Sequence, residues 1–332
     1  MDTVLVVGGA GYIGSHTTLA LREAGVRVVV YDDLSAGHRE AVLGAPLVEA
    51  DVHDVDTLRR TLREHEVGAV LHFAGRLSVP ESLTDPAGYY RHNVVGTLSL
   101  LEAMVAESVD ALVFSSTAAV YGEPDASPIL EEHPTRPVNT YGETKLAVER
   151  ALPHFERAHG LRSVCLRYFN ASGADPAGRL GEAHDPETHL IPRALIAASG
   201  GPALEIFGND YATPDGSCLR DFVHVTDLAN AHVLACEYLR QGGRSDLFNV
   251  GTGTPSSVRD VVDAVGRVTG REVLVRASPR RAGDPAVLVA GSTKVQRALR
   301  WRPKHSTLTD IVETAWRWHQ TGWSRDERRD KC

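Results

Sequence analysis

The stretch VVGGAGYIGS, residues 6–15, follows an apolar run and opens a segment with helical spacing. Gly8, Gly11 and Gly14 are three residues apart, which differs from the common G-x-G-x-x-G pattern. A glycine turn between a strand and a helix lets a phosphate group approach the helix N-terminus, and Gly14 lets the helix pack on the strand. The stretch therefore predicts a nucleotide-binding turn, with a merely tight strand–helix connection as the alternative.

Apolar runs alternate with helical patterns through the first half of the chain. Continuous apolar runs separated by helices indicate parallel strands that are covered on both faces. The strands are expected at 3–7, 27–31, 69–73, 111–116 and 163–169, and the helices at 12–24, 54–65, 86–107 and 141–159. This order predicts an α/β fold with a Rossmann-type, doubly wound parallel sheet.

The alternation of strands and helices stops after residue 170, and long loops are predicted at 171–189 and 207–217. Loops of this length in a compact domain are usually functional or disordered. We expect a Rossmann domain over 1–170 with return elements from about 221–251, and a smaller α/β substrate-binding lobe over 171–332. Further predicted elements are helices at 226–239, 257–269, 293–299 and 308–319, a strand at 247–251, and a solvated charged tail at 324–332.

Composition limits the possible partners and compartments. The 332 residues carry a formal net charge of −8 at pH 7, which argues against nucleic-acid and anionic-membrane binding. No apolar run approaches the roughly 20 residues of a membrane-spanning helix, and the amino terminus lacks a signal-peptide pattern. The spacing of Cys165, Cys218, Cys236 and Cys332 offers neither a zinc site nor a disulfide framework. We expect a cytoplasmic protein without a metal.

Two aspartates follow the second predicted strand, at the position where dinucleotide-binding folds contact the ribose of the cofactor. Asp32 lies eighteen residues beyond Gly14, and its carboxylate favours NAD because it would repel a 2′-phosphate. Asp33 stands where an NADP enzyme would more often carry an arginine. Asp51 lies in the stretch 50–52, which is expected to end the third strand and flank the adenine. A helix N-cap is the alternative interpretation of Asp51.

The stretch YGETK places Tyr141 and Lys145 four residues apart on one face of a helix. A nearby lysine ammonium would favour the phenolate and lower the pKa of the tyrosine, which is otherwise a poor base at neutral pH. Ser115, Ser116 and Thr117 are expected just past the carboxyl end of the fifth strand, where ligands bind in such sheets. The serines have a structural alternative as polar caps.

These features together resemble the extended short-chain dehydrogenase/reductases, and within them the UDP-glucose 4-epimerase family. Matching stretches run in order from residue 8 to about 286 and include GGAGYIGSH, HFAG, YYRHNVVGT, FSSTAAVYG, YGETKLAVE, LRYFNASGA and IFGNDYATPDGSCLRDFVHVTDLA. The resemblance implies an NAD site lined by Tyr12, Ile13, Asp32, Asp51, Val52, Phe73, Ala74, Asn93, Lys145 and Phe169. It implies that Thr117 and Tyr141 handle the sugar 4-hydroxyl, and that Asn170, Phe207, Arg220, Arg281 and Asp284 hold the uridine diphosphate. His189 stands where many relatives have asparagine and is expected as a further substrate contact.

The implied reaction is an epimerisation through transient oxidation at C4, with a 4-keto intermediate and return of hydride to the other face. A homodimer through the helices at 86–107 and 141–159 is also expected. Alternatives at single residues are an Arg220–Asp221 structural pair and a solvated surface patch at Arg280 and Arg281. Alternatives for the whole protein are epimerases of N-acetylated sugars, for which Val287 leaves room, or of uronates, with Arg76 facing the carboxylate, and a non-catalytic NAD sensor. A 4,6-dehydratase is disfavoured because Ala118 and Ala119 cannot transfer protons.

Overall fold

The computed structural model describes residues 3–281, 284–305 and 307–323; the tail predicted at 324–332 lies outside them. The strands are β1 (Thr3–Val7), β2 (Val28–Asp32), β3 (Leu47–Glu49), β4 (Val67–His72), β5 (Ala111–Thr117), β6 (Arg162–Tyr168), β7 (Asn170–Ser172), β8 (Leu204–Phe207), β9 (Leu219–His224), β10 (Asp246–Val250), β11 (Pro255–Ser257), β12 (Val275–Ser278) and β13 (Val287–Leu288). The helices are α1 (Tyr12–Glu23), α2 (Val55–Glu64), α3 (Val79–Thr84), α4 (Pro86–Tyr89), α5 (Gly96–Ala106), α6 (Thr140–His159), α7 (Leu190–Ala198), α8 (Val225–Arg240), α9 (Val258–Thr269), α10 (Thr293–Ala298) and α11 (Leu308–Thr321). None of the helices within these ranges has the length and apolar character needed to cross a membrane.

The central sheet has seven parallel strands in the order β10-β6-β5-β4-β1-β2-β3. Its apolar residues form two clusters, one on each face. Helices α1 and α8 cover one face, and α2, α5 and α6 cover the other. This arrangement confirms the predicted Rossmann-type α/β fold. The strand order reverses between β1 and β4, so their carboxyl ends border the crevice in which such sheets bind ligands.

A second layer of structure lies beyond β6. Strand β9 pairs with β7, β11 and β13, while β8 pairs with β12. Helices α7, α9 and α11 enclose a separate apolar cluster beside these strands. The chain returns to the first layer through α8 and β10, which pack on and extend the central sheet. The predicted division of the chain near residue 170 stays a prediction.

Three of the differences between predicted and observed boundaries bear on the site. A π-helical turn, Tyr90–Val95, interrupts the helix predicted at 86–107, and such turns are frequent at functional sites. Strand β3 ends before the predicted stretch 50–52. Ser115, Ser116 and Thr117 lie inside β5, because their backbone continues to pair with Leu166–Tyr168 of β6.

Candidate active site

The turn after β1 requires glycine at two positions. Gly8 has a φ of 79°, and a Cβ there would lie 2.4 Å from the Ala74 backbone nitrogen. A Cβ on Gly14 would lie 2.1 Å from the Gly8 carbonyl oxygen. The loop therefore runs directly against the end of β4, and α1 packs directly on the loop. No side chain larger than hydrogen fits at either position without moving the backbone.

Helix α1 presents its amino terminus to a small cavity. Gly11 is the N-cap residue and gives no side-chain hydrogen bond to the first turn. The cavity is lined by Gly11, Tyr12 and Ser15 on this side and by Gly181 and His184 on the opposite side. Uncapped N–H groups at the positive end of a helix dipole form a ready anion site. The turn fits a dinucleotide phosphate.

Asp32 ends β2 beside this turn and is buried. Its two carboxylate oxygens accept hydrogen bonds from the Ala10 and Leu34 N–H groups, each at 2.9 Å. Burial raises the pKa of Asp32, and these two hydrogen bonds act in the opposite direction. Each carboxylate oxygen has a second lone pair, so the group can still accept from a ribose hydroxyl.

The other predicted adenosine-side residues sit around the same edge. Asp51 accepts from the backbone N–H and Nδ1 of His53 at 2.9 and 2.6 Å. The N-cap of α2 is Asp54, so the N-cap interpretation of Asp51 is wrong. Val52 lies against Gly96, at the start of α5, where a Cβ would be 2.6 Å from the valine side chain. The exposed Asp33 side chain accepts from Ser35.

Thr117 and Tyr141 lie together at the carboxyl edge of β5. Burial raises the pKa of the Tyr141 phenol, and a side-chain hydrogen bond with Thr117 acts in the opposite direction. The Thr117 hydroxyl also accepts from the Ala119 N–H at 3.1 Å. A buried phenol of raised pKa is a poor base at neutral pH, so this one needs a neighbouring cation.

Lys145 supplies a buried cation one turn further along α6. Its Nζ atom donates to the Ser115 carbonyl at 3.1 Å and lies 5.0 Å from the centroid of the Phe114 ring. Burial lowers the pKa of Lys145 to about 8, against the opposing charge of Glu149. The ammonium carries three N–H groups, and the carbonyl takes one of them.

Asn93 holds the segment after β4 against this helix. Its Nδ2 atom donates to the Arg76 carbonyl and to the Thr144 hydroxyl, both at 3.0 Å, and its Oδ1 atom accepts from the Arg76 N–H at 2.8 Å. Gly75 was not among the predicted residues. A Cβ on Gly75 would lie 2.9 Å from Asn93 Oδ1 and 3.4 Å from Lys145 Nζ. The available signal in the sequence was its place as the final glycine of the stretch HFAG, residues 72–75.

A buried ion pair behind the serines was also missed. Ser116 donates to Glu149 at 2.5 Å, and Arg167 pairs with the same carboxylate at 2.5 Å. Ser115 hydrogen-bonds to the Tyr168 hydroxyl. Both serines therefore have structural partners. Glu149 lies four residues after Lys145 on α6, and this spacing was the available signal.

The aromatic residues predicted at the cofactor occupy two places. The N–H groups of Phe73 and Ala74 both donate to the Val7 carbonyl, at 2.7 and 3.1 Å, beside the glycine turn. The Phe73 ring packs on His232 of α8 with a centroid distance of 4.6 Å. Phe169 is buried in a small cluster beyond β6. Ile13 packs against the core cluster on the α1 face of the central sheet.

Two pairs of predicted substrate residues form in the second layer. Arg220 donates to Asp284 at 3.2 Å and to the Pro285 carbonyl at 2.8 Å, so the proposed Arg220–Asp221 pair is wrong. The Arg281 guanidinium lies over the Phe207 ring, 3.7 Å from its centroid. A guanidinium that stacks on a ring keeps its planar N–H fork free for a carboxylate or phosphate.

The remaining predicted residues lie apart from these pairs. Asn170 begins β7 and is exposed. His189 contacts the Glu182 carboxylate through Nδ1. Val287 pairs with Leu219 in the β13–β9 ladder. Arg76 donates to Asp85 at 2.8 Å.

The chain matches a known family over most of its length. Residues 4–251 match the model of the NAD dependent epimerase/dehydratase family. This range contains the glycine turn, Thr117, Tyr141 and Lys145.

Similar proteins extend the match to the whole chain. The UDP-glucose 4-epimerase of Halalkalibacterium halodurans is 50% identical over 332 residues, covering 99% of each chain. That of Azospirillum brasilense is 53% identical, covering 96% of this chain and 92% of the relative. The crystal structure of the Brucella ovis UDP-glucose 4-epimerase in complex with NAD superposes with a TM-score of 0.93 at 50% identity, covering 95% of this chain and 98% of the other.

Proposed function

Because the chain belongs to the NAD dependent epimerase/dehydratase family, we propose that it is a UDP-glucose 4-epimerase. It interconverts UDP-galactose and UDP-glucose with bound NAD and serves galactose metabolism. The observation that carries this function is the buried group of Thr117, Tyr141 and Lys145 at the sheet edge that also carries the glycine turn. That edge brings a general base and a dinucleotide site together.

The chain holds the cofactor with residues from the ends of β1, β2 and β4. The uncapped first turn of α1 receives the phosphates, and Asp32 accepts from the adenosine ribose. The wider proposed NAD site comprises Gly8, Gly11, Tyr12, Ile13, Gly14, Asp32, Asp33, Asp51, Val52, Phe73, Ala74, Asn93, Lys145 and Phe169. Bound NAD supplies a hydride acceptor at sugar C4 and returns the hydride to the opposite face of the 4-keto intermediate.

The proton moves through Tyr141. Its phenolate oxygen takes the proton of the sugar 4-hydroxyl and later gives it back, while the Thr117 hydroxyl orients the same oxygen. Lys145 stabilises the phenolate, because an ammonium in a buried site interacts with an anion far more strongly than it does in water. The proposed chemistry therefore requires Lys145 to be protonated, although burial lowers its pKa.

The substrate diphosphate is held in the second layer while the sugar stays free to turn. Arg220 and Arg281 are each braced by a neighbour, Asp284 and Phe207 respectively. Two oriented guanidinium groups suit a diphosphate because each can donate two parallel hydrogen bonds. Asn170 and His189 complete the proposed contacts.

The competing activities gain no support from these contacts. Arg76, the candidate partner for a uronate carboxylate, donates to Asp85 at 2.8 Å and lies 3.7 Å from Glu81. Its charge is already compensated by two carboxylates. The complete group of Thr117, Tyr141 and Lys145 argues against a non-catalytic sensor. Turnover of UDP-N-acetylgalactosamine tests whether the sugar pocket near Val287 accepts N-acetylated sugars.

We also propose that the protein is a cytoplasmic homodimer. The helical stretch from 79 to 106 exposes Leu83, Tyr90 and Val95, with 58%, 45% and 48% of their surfaces accessible. Large apolar side chains on one stretch of surface are typical of an interface. Sedimentation of the purified protein would show the mass of two chains if this is right.

Conversion of UDP-galactose to UDP-glucose, followed by chromatography, tests the function. We expect turnover by the wild type and a loss of about 10²–10⁴-fold in Tyr141→Phe, since that variant lacks the base. Tyr238→Phe is the matched control, because its hydroxyl lies far away on α8 and accepts only from the Arg244 N–H among the described residues. UDP-N-acetylgalactosamine is tested in parallel. Wild-type protein that binds NAD but converts neither sugar would overturn the proposal.

A further inference from the structure

We propose that Glu182, His184, Glu187 and His189 bind a divalent transition-metal ion of the zinc class. One ligand atom from each side chain lies within 4.8 Å of the other three. Two imidazole nitrogens and two carboxylate oxygens are ligands that Zn²⁺ takes, in the number a tetrahedral structural site requires. The expectation of no metal rested on the cysteines, which take no part here.

The distances already approach those of a coordination sphere. Nδ1 of His184 lies 3.1 Å from Glu182 Oε1 and 3.9 Å from Glu187 Oε2. Nδ1 of His189 lies 3.7 Å from Glu187 Oε1 and also contacts Glu182 Oε1. Ligands about 2.0–2.2 Å from a tetrahedral ion are roughly 3.3–3.6 Å from one another. The three separations stated above lie within roughly half an ångström of that spacing.

The cluster also contains a buried atom without a hydrogen bond. Nδ1 of His184 is buried, and although it lies near Glu182 it lacks the alignment of a hydrogen bond. The carboxylates of Glu182 and Glu187 are only 6% and 11% exposed and lie side by side. A positive charge between two adjacent buried carboxylates stabilises their ionised forms. A divalent cation would take the free Nδ1 of His184 as a ligand and would also balance the charge of the two carboxylates.

The backbone that carries the ligands is fixed by the rest of the protein. Trp318 donates through Nε1 to the Glu182 carbonyl at 2.8 Å, and Nε2 of His38 lies 2.8 Å from the Ala183 carbonyl. A Cβ on Gly181 would lie 2.2 Å from the Trp318 ring. Ligands on a held backbone bind a metal with little ordering cost. The two imidazoles favour a transition metal over Mg²⁺ or Ca²⁺, which prefer oxygen ligands.

Bound metal would fasten the loop 181–189 to the helix that receives the cofactor phosphates. The His184 ring packs edge-on against Tyr12, the first residue of α1, with a centroid distance of 6.2 Å. The Tyr12 hydroxyl donates to the Gly173 carbonyl at 2.6 Å. Four protein ligands leave no open coordination position, so the role is structural. His189 spends Nδ1 on the ion and can reach substrate only through Nε2.

Metal binding to untagged, EDTA-treated protein tests the site. We expect equilibrium dialysis against ZnCl₂, followed by elemental analysis, to find one Zn²⁺ per chain. Co²⁺ should give the intense visible bands of four-coordinate cobalt, and added Zn²⁺ should raise Tm by roughly 5 °C. His184→Ala and Glu187→Gln should each lose the stoichiometric binding and the Tm shift.

His154→Ala is the matched control, because His154 is exposed on α6 and pairs only with Arg157 among the described residues. It should keep full binding. Circular dichroism checks that the variants fold, and Glu187→Gln preserves the oxygen that accepts from the Thr188 and His189 N–H groups. The site is overturned if the wild type binds no more metal than His184→Ala, or if both ligand variants retain one ion. Neither result depends on epimerase activity.

Discussion

At the scale of single residues, the proposed chemistry depends on how burial affects the ionisation of Tyr141 and Lys145. Burial raises the pKa of the phenol and lowers that of the ammonium, so it opposes the charged form of both groups. Bringing the two together reverses this for the tyrosine, because a phenolate beside an ammonium is favoured over a neutral phenol. The pair is therefore expected to act as a unit, and removing the cation should expose the intrinsic weakness of the base.

We expect Lys145→Met to change the pH dependence of turnover as well as its size. Without the cation the pKa of Tyr141 stays above 10, and the phenolate fraction then rises about tenfold per pH unit below it. The variant should lose at least about 100-fold at pH 7.5 and recover steeply towards pH 9.5. Turnover of UDP-galactose measured from pH 6 to 9.5 checks this.

The exposed Lys304 offers the control, since Lys304→Met removes a lysine that is not among the proposed site residues. It should leave the pH profile unchanged. A pH profile of Lys145→Met with the same shape as that of the wild type would show that Tyr141 does not depend on this ammonium.

Gly14 is a second residue whose replacement has a defined cost. In Gly14→Ala the new Cβ must move the Gly8 carbonyl, which lies 2.1 Å from its ideal position. We expect a loss of about 1–3 kcal/mol in the free energy of unfolding and weaker NAD retention. Urea unfolding and the NAD content of the purified protein measure the two effects.

Gly266→Ala is the matched control on α9, because its nearest neighbouring atom would lie 3.6 Å away. A helical glycine exchanged for alanine should be neutral or gain about 0.5–1 kcal/mol. Equal effects of the two substitutions would contradict the close packing of α1 on its loop.

At the scale of elements, one buried network joins the strands that carry the site to α6. Arg167 of β6 and Glu149 of α6 are 5% and 6% exposed and form an ion pair at 2.5 Å. Arg167 also donates to the Tyr121 hydroxyl at 2.9 Å, which in turn donates to Asn249 of β10 at 2.7 Å. The helix that bears Tyr141 and Lys145 is thus tied to three neighbouring elements by one charged cluster.

Arg167→Met is expected to destabilise the fold by about 3–5 kcal/mol, because it leaves the Glu149 carboxylate buried without its partner. Adding Glu149→Gln should recover part of that loss, since the unpaired charge is then gone. Urea unfolding at pH 7.5 gives both values. The surface pair Arg39–Glu49 is more than half exposed, so Arg39→Met should cost no more than about 1 kcal/mol. Similar losses for the two arginines would refute the structural role of the cluster.

At the scale of the whole molecule, neutral histidines lie buried on both faces of the central sheet. Burial lowers the pKa of His72 to about 3 and that of His232 to about 4. Both values lie below the ordinary 6.5 of an unfolded chain, so the unfolded state binds more protons below pH 6.5. The stability that these groups contribute is present above pH 6.5 and is lost as the pH falls towards 4.

We expect the free energy of unfolding to fall by about 2–3 kcal/mol per histidine between pH 6.5 and 4.5. His232→Gln removes one of these titrations and should make that decline shallower, whereas the exposed His154→Gln should not. Denaturant unfolding at several pH values compares the three proteins. An identical decline in all three would assign the acid sensitivity to other groups.

The sequence by itself determined the layout of the first layer. Strand and helix periodicity, the glycine turn and the Tyr141–Lys145 spacing are short-range features, because a few consecutive residues dictate their backbone geometry. They predicted the parallel sheet, which the structure confirms, and they singled out the residues of the proposed site. Local pattern was weaker at boundaries, as in the π-helical turn that carries Asn93 and the serines that lie inside β5.

Only the tertiary structure decided which distant residues meet. Arg220 pairs with Asp284 and not with its sequence neighbour Asp221, which instead accepts from Thr252, Gly253 and Ala290. Arg167 of β6 likewise meets Glu149 of α6 and the hydroxyl of Tyr121, which lies 46 residues earlier in the chain. Side-chain partners of this kind follow from how helices and loops pack on the sheet, and that packing is set by the summed burial of many residues. A short stretch of sequence records the strand or the turn it forms, but not what the fold will place against it.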